Sequence, residues 1–294
     1  LLGFIALSEK ISGANYTAEE INLLKVLSNQ FVGALTTARL YAETVEKKRL
    51  EEEVAMARQI QVGLLPRSLP STDGCTLAAH SVPSRTVGGD FYDVVRLSDN
   101  RLALIIADAS GKGMPAAMVI TQIQAMIRSE LNNRNSIQSA LKNVNDYLVQ
   151  LTSAEKFATL CFGIFDSQTS VFEYSNAGHN YPALVRCNGK HERLSVGGML
   201  IGAFTGATYE SERITLDSDD FIFFFTDGIS ETMNEKDEEY GEERLVETLV
   251  KLRGQDADAI IEGALADVDR FYRIDPPQDD RTILVLKATN ACGS

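Results

Sequence analysis

A long proline-free run near the start constrains this chain more than any other feature. Between Thr17 and Leu65 no proline interrupts it, and apolar residues recur at helical spacing. Thr17-Ala-Glu-Glu20 has the form of a capping box, in which the Thr17 hydroxyl takes an orphan amide and Glu20 reaches back. Pro66 and Pro70 end the run. The sequence therefore predicts one long N-terminal helix. Leu24, Leu27, Phe31, Ala34, Ala38, Tyr41 and Val45 follow a three-then-four rhythm along it, a seam that fits either a second copy of the helix or the chain's own domain. Charge dominates from Glu46 to Glu53, and the stripe resumes off register at Leu50, Val54, Ala57 and Leu64. Such a slip prevents one straight seam from continuing throughout.

After Pro70 the pattern changes to short strands. Arg101–Ala107, Phe157–Phe165, Val171–Ser175, Pro182–Arg186, Phe221–Thr226 and Thr282–Lys287 read as strands, Phe221–Thr226 as a central buried one. Met114–Leu131, Ile137–Leu151, Glu242–Leu252 and Asp256–Tyr272 read as helices. The apolar run at residues 3–8 reads as a further strand. Strands in runs, separated by pairs of helices, predict an α+β fold of stacked layers.

Charge and cysteine content narrow the function. A formal charge of -13 argues against a general nucleic-acid binder, which needs a basic face to release counterions. Cys75, Cys161, Cys187 and Cys292 form no CxxC pair, and His80, His179 and His191 form no spaced metal motif. No apolar run reaches membrane-spanning length and Leu1-Leu2-Gly3-Phe4 lacks the basic flank of a signal peptide, so the expectation is a cytoplasmic protein without a membrane partner. An opening without Met suggests a piece of a longer chain.

Acidic residues recur where strands are expected to end, beside small or turn-forming neighbours. They are Asp90 in Val87-Gly-Gly-Asp-Phe-Tyr-Asp93, Asp108 in Ala107-Asp-Ala-Ser-Gly-Lys-Gly113, Asp227 in Thr226-Asp-Gly228, and the pair Asp279-Asp280 before Arg281-Thr282. Alone, each is an ordinary turn residue. Converging on one cleft, they would repel until a cation neutralised them, and hard oxygen ligands select Mg²⁺, Mn²⁺ or Ca²⁺.

Together with Asn176-Ala-Gly-His179, and with Asp108 continuing through Met-Pro-Ala-Ala117, these segments resemble the SpoIIE/RsbU branch of the protein phosphatase 2C (PPM) class. Order and spacing agree across residues 50–288, and Met56–Pro66 is similar to the helix that leads into this branch. Residues 1–45 resemble the C-terminal end of a GAF sensor domain. The resemblance implies a four-layer αββα sandwich over residues 67–288, with 46–66 as a helical linker. It also implies a serine/threonine phosphoprotein phosphatase under sensor control, acting on a phosphorylated anti-sigma-factor antagonist; the apolar seam of the N-terminal helix, not the resemblance, is what suggests a homodimer.

Carried onto this sequence, the resemblance has the catalytic Asp108 bridging two divalent cations, Mn²⁺ or Mg²⁺, and Ala109 offering its carbonyl to one. Asp227 and Asp279 hold the second ion or both, with Asp280 the alternative to Asp279, and Asp90 binds directly or through water. A hydroxide shared by the metals then attacks phosphorus in line. One position departs from the wider class: where animal and plant relatives carry a histidine two residues after the bridging aspartate, this chain has Ser110. His179, in an Ala-Gly-His turn, reads as a structural residue tying a loop by one ring nitrogen.

Three other readings compete with this one. Gly111-Lys112-Gly113 lacks the GxxxxGK(S/T) spacing of a nucleotide loop. Gly88-Gly89-Asp90-Phe91 resembles the signature of diguanylate cyclases but lacks the second acidic residue between the aspartate and the phenylalanine, and a cyclase leaves Asp227 and Asp279-Asp280 unexplained. An inactive phosphatase fold kept as an interaction module is the remaining alternative.

Overall fold

The computed structural model describes residues 6–84, 86–98, 100–133, 135–152, 156–272 and 279–289. The chain divides into two compact units, Leu1–Met56 and Ala57–Ser294. Helix α1 (Ala18–Leu64) runs without a break and buries none of its residues. Its start is the expected capping box: the Glu20 amide donates to Thr17 Oγ1 at 3.3 Å and the Thr17 amide to Glu20 Oε2 at 2.8 Å. The expected strand at residues 3–8 is not found. Residues 1–5 lie outside the described residues, and Ala6–Ser8 are exposed and outside any strand. A lone strand has no neighbour for its backbone groups, and no sheet of the described residues reaches it.

In the second unit β1 (Cys75–Val82), β2 (Asp90–Ser98) and β3 (Arg101–Ala109) precede helices α2 (Met114–Asn132) and α3 (Ile137–Leu151). Then come β4 (Ala158–Asp166), β5 (Val171–Ala177), β6 (Ala183–Val185), β7 (His191–Arg193), β8 (Gly197–Gly198), β9 (Glu212–Thr215) and β10 (Phe221–Phe225). A short α4 (Asp227–Ser230), α5 (Glu242–Leu252), α6 (Ala257–Phe271) and β11 (Arg281–Ala288) follow.

Two sheets result. One has the order β1-β11-β10-β6-β7; the other runs β2-β3-β4-β5-β8, with β9 paired to β5. Alternation along the strands sorts side chains into three apolar layers. Phe221, Phe223 and Phe225 of β10 pack with Leu245 and Leu249 of α5 and with Ile260 and Ala264 of α6. Ile222 and Phe224 face the other way, into a layer between the sheets shared with Leu284 and Leu286 of β11 and with Leu102, Leu104 and Ile106 of β3. Ala103, Ile105 and Ala107 of β3 meet Ile120, Ile123 and Ile127 of α2 and Leu141 and Val144 of α3. The architecture is the expected α+β sandwich, helices–sheet–sheet–helices. Because both faces of each central strand are covered, β10 and β11 read as continuous apolar runs rather than alternating ones.

Candidate metal and active site

Each sheet contributes two neighbouring strand ends to one cleft. In the β2–β3 sheet Asp90 opens β2 and lies directly opposite Asp108, the penultimate residue of β3. In the other sheet β10 and β11 are antiparallel neighbours, so the residue after β10 and the residues before β11 emerge at the same end. Thr226 caps that end. It donates from its amide to the Thr282 carbonyl at 3.1 Å, and its Oγ1 accepts from the Thr282 amide at 3.0 Å. The Thr226 hydroxyl then donates to Asp90 Oδ2 at 2.6 Å, joining the two sheets. Asp227 begins α4 immediately afterwards.

Electrostatics mark the same group. Burial, then the Asp108 charge, pushes the Asp90 carboxyl well above its usual range. Burial, then the charges of Asp227, Asp279 and Asp280, raises Asp108 from 3.8 to about 7. Asp227 is raised too, by burial and then by Asp279. Among the described residues no three His, Cys, Asp or Glu side chains already close around one point.

The donor set fits hard divalent cations: carboxylates and a backbone carbonyl, with no thiolate or imidazole among them. The backbone leaves room on the right side. A Cβ on Gly89 would lie 3.0 Å from both Asp108 Oδ1 and the Ala109 carbonyl oxygen, so those two oxygens flank one point that a larger residue would obstruct. The Ala109 amide in turn donates to the Gly89 carbonyl at 3.1 Å, which holds the two segments together. Beyond Asp227 and Asp279 the cleft opens into a cavity of about 220 Å³ lined also by Lys112, Glu231 and Tyr272. A larger cavity of about 400 Å³ beside Arg244 and Arg270 contains none of these aspartates.

The geometry separates Asp279 from Asp280. Asp280 is buried and its carboxylate is committed: Oδ1 accepts from the Ser84 amide at 2.7 Å and the Ser84 hydroxyl at 2.9 Å, and Oδ2 from the Gly89 amide at 2.7 Å. Asp279 is half-exposed and meets the Lys112 ammonium at 2.6 Å. Asp280 thus fixes the loop leading to Asp90, while Asp279 lines the cleft. Asp93, in the same motif as Asp90, is fully buried against Arg128, which donates to both its oxygens at 2.7 and 3.0 Å.

Ser110 and His179 both make backbone-fixing bonds. Ser110 pairs with Phe157 in both directions, amide to carbonyl at 2.8 Å and Phe157 amide to Ser110 Oγ at 3.1 Å. The buried His179 ring meets the Thr159 hydroxyl through Nδ1 at 2.8 Å, while its amide donates to Asn176 Oδ1 at 2.7 Å. Burial lowers its pKa to about 4, so the ring is neutral.

Two contributors were not visible in the sequence. Thr226 belongs to the Thr226-Asp-Gly228 motif, but only tertiary folding brings it to Asp90. Gln61, near the end of α1, clasps Gly88 in both directions: its Nε2 donates to the Gly88 carbonyl at 2.7 Å and its Oε1 accepts from the Gly88 amide at 3.2 Å.

Comparison with known proteins places the chain among phosphatase relatives. The sequence model of stage II sporulation protein E (SpoIIE) matches residues 98–289, which include Asp108, Asp227, Asp279 and Asp280. The chain is 28% identical over 266 residues to Protein IcfG of Synechocystis sp. (strain ATCC 27184 / PCC 6803 / Kazusa), covering 78% of this chain and 42% of IcfG. It is 26% identical over 245 residues to phosphoserine phosphatase RsbU of Bacillus subtilis (strain 168), covering 82% of this chain and 71% of RsbU. The chain thus spans less than half the length of IcfG. Among solved structures, the SiaA-PP2C domain of Pseudomonas aeruginosa matches with a TM-score of 0.72 at 21% identity, covering 82% of this chain and 98% of that one. At that identity the likeness is one of fold.

Proposed function

Because the chain belongs to the SpoIIE family, we propose that it is a metal-dependent serine/threonine phosphoprotein phosphatase, and that Asp90, Asp108, Asp227, Asp279 and the Ala109 carbonyl hold two divalent cations, Mn²⁺ or Mg²⁺. The observation that carries this reading is the convergence of Asp90, Asp108 and Asp227, each with a raised pKa, at the joined ends of two sheets. When bound, such ions supply a polarised water and a clamp for phosphoryl oxygens.

The chain's own residues do the rest. Asp108 sits between Asp90, its partner in the strand register, and the charges of Asp227 and Asp279, the central position for a bridging carboxylate. Thr226 holds one oxygen of Asp90 in a fixed direction. Asp280 and Gln61 restrain the Gly88-Gly89 backbone through its amide and carbonyl groups. The bonds of Ser110 to Phe157 make it a loop tie, and no proton transfer is assigned to it.

As substrate we infer a phosphorylated anti-sigma-factor antagonist; the support is the sequence resemblance and the name of RsbU, a phosphoserine phosphatase. Residues 1–45 are read as the end of a GAF-like sensor and 46–66 as its linker. The exposed Leu27 and Phe31 on α1 supply the surface for a homodimer and for sensor control. A cytoplasmic location fits the described residues, where no helix is long and apolar enough to cross a membrane. Phosphate release from a phosphoserine peptide with Mn²⁺, Mg²⁺ or excess EDTA tests the reading. Release that persists in EDTA overturns metal dependence, and no release with either metal favours the inactive interaction module.

A further inference from the structure

The loop between β3 and α2 brings a positive charge into the acidic cleft. Gly111 and Gly113 both lie in the left-handed region, at φ 90° and 76°, and the turn they form presents Lys112 between them. The Lys112 ammonium stands 2.6 Å from Asp279 Oδ2, with both side chains about two-fifths exposed. It also draws the Asp227 carboxyl downward, against the upward push of burial and Asp279. Among the described residues lining this cavity, Lys112 is the basic one, alongside Asp227, Glu231 and Asp279. A plain two-metal scheme gives this lysine no role.

We propose that Lys112 is a tethered cation that changes partner: it holds Asp279 while the metal is absent, yields that carboxylate to a divalent ion, and then binds the phosphoryl group of the substrate. An oxygen of Asp279 cannot serve a metal fully while it neutralises an ammonium at contact distance. A dication outcompetes the monocation for the same carboxylate, because the attraction scales with charge at equal distance. The displaced ammonium keeps its short tether and remains at the cavity, where a phosphoryl dianion is its complementary partner. The second step rests on the phosphatase reading given above; the first does not.

Mn²⁺ titration of the whole chain, followed by calorimetry or by the electron-spin signal of free Mn²⁺, tests the first step. In Lys112→Gln the Mn²⁺ dissociation constant falls about threefold, the size expected of a half-exposed ion pair, while Lys112→Arg stays near wild type. High salt narrows the difference by screening the pair. Inorganic phosphate titrated into the Mn²⁺-loaded protein tests the second step. Lys112→Gln weakens phosphate binding about tenfold, the loss of one charge-assisted hydrogen bond. Unchanged or weaker Mn²⁺ binding in Lys112→Gln overturns the exchange, as does unchanged phosphate binding. Loss of order is excluded by an unshifted thermal midpoint. Failure of the phosphatase reading is seen separately, as absence of p-nitrophenyl phosphate hydrolysis by the Mn²⁺-loaded wild type.

Discussion

Asp280 accepts the amide hydrogen of Gly89 at 2.7 Å, so the carboxylate before β11 holds the backbone that leads to Asp90 at the start of β2. With the two Ser84 bonds, three donors converge on one buried carboxylate, while its sequence neighbour Asp279 faces the cleft. The two aspartates should fail differently. Asp280→Ala is expected to destabilise the fold by about 2–4 kcal/mol, since it orphans buried donors to a charged group, and to lower the thermal midpoint with or without metal. Asp279→Asn should leave the metal-free midpoint within a degree or two and weaken Mn²⁺ binding. Equal loss of stability in both variants would contradict the assignment.

Asp108→Asn is expected to abolish metal-dependent phosphate release. The variant removes the charge at the position flanked by the other carboxylates while keeping its size, so folding persists. Phosphate release and circular dichroism on the same preparation check this, and retained turnover sinks the bridging role.

The raised carboxyls predict a pH dependence whose sign can be worked out. Asp108 binds its proton up to about 7 in the folded, metal-free chain, against 3.8 as its ordinary value. Between those values the folded state holds more protons than the unfolded one. Stability from this group is therefore full at low pH and is lost as pH rises through the window. Asp90 and Asp227 act in the same direction. His179, lowered to about 4, acts oppositely, with stability present above its ordinary 6.5 and lost as pH falls. Subtracting the midpoint in EDTA from that in Mn²⁺ cancels His179. The difference should grow from pH 5 to pH 8, as deprotonated ligands become available; a flat difference contradicts the carboxylate site.

Ser110→Ala should change turnover less than about threefold, since an unperturbed hydroxyl is a poor acid at neutral pH and Ser110 Oγ is engaged by the Phe157 amide. Ser110→His is expected to raise the rate. Steady-state kinetics decide, and a thousandfold loss in a folded Ser110→Ala protein gives the residue a chemical role.

Leu27 and Phe31 are 52% and 64% exposed on a helix with no buried residue. Sedimentation of the wild type at micromolar concentration should give a dimer, and Leu27→Glu with Phe31→Glu a monomer, because like charges then face each other in the seam. A monomeric wild type, or a dimeric double variant, rules out this interface.

Much of the fold was legible because its signals are local. The capping box at Thr17 and Glu20, the helix at Ile137–Leu151 and the apolar run at Phe221–Phe225 each state their own structure. β7 (His191–Arg193) and β8 (Gly197–Gly198) were not legible: one is short and fully exposed, the other is two glycines, and neither carries a hydrophobic period. At the site, the aspartates announce themselves by glycine neighbours and strand ends. The partners that distinguish them do not. Ser84 lies 196 positions from Asp280, Thr226 lies 136 from Asp90 and Lys112 lies 167 from Asp279, separations that only tertiary folding brings together.

The layer between the sheets has a mechanical meaning for the cleft. Asp90 and Asp108 ride on one sheet, Asp227 and Asp279 on the other, and β-ladder hydrogen bonds run within each sheet. Phe172 and Phe224 meet edge to face across the middle, ring centres 6.0 Å apart. Ligand distances must hold to about ±0.2 Å, so the thickness of this aromatic and aliphatic filling sets the bite of the jaws. A cation held by all four would then be a rivet through both plates, and a residue such as Phe172, more than fifty positions from each of the four aspartates, becomes a shim that adjusts their grip.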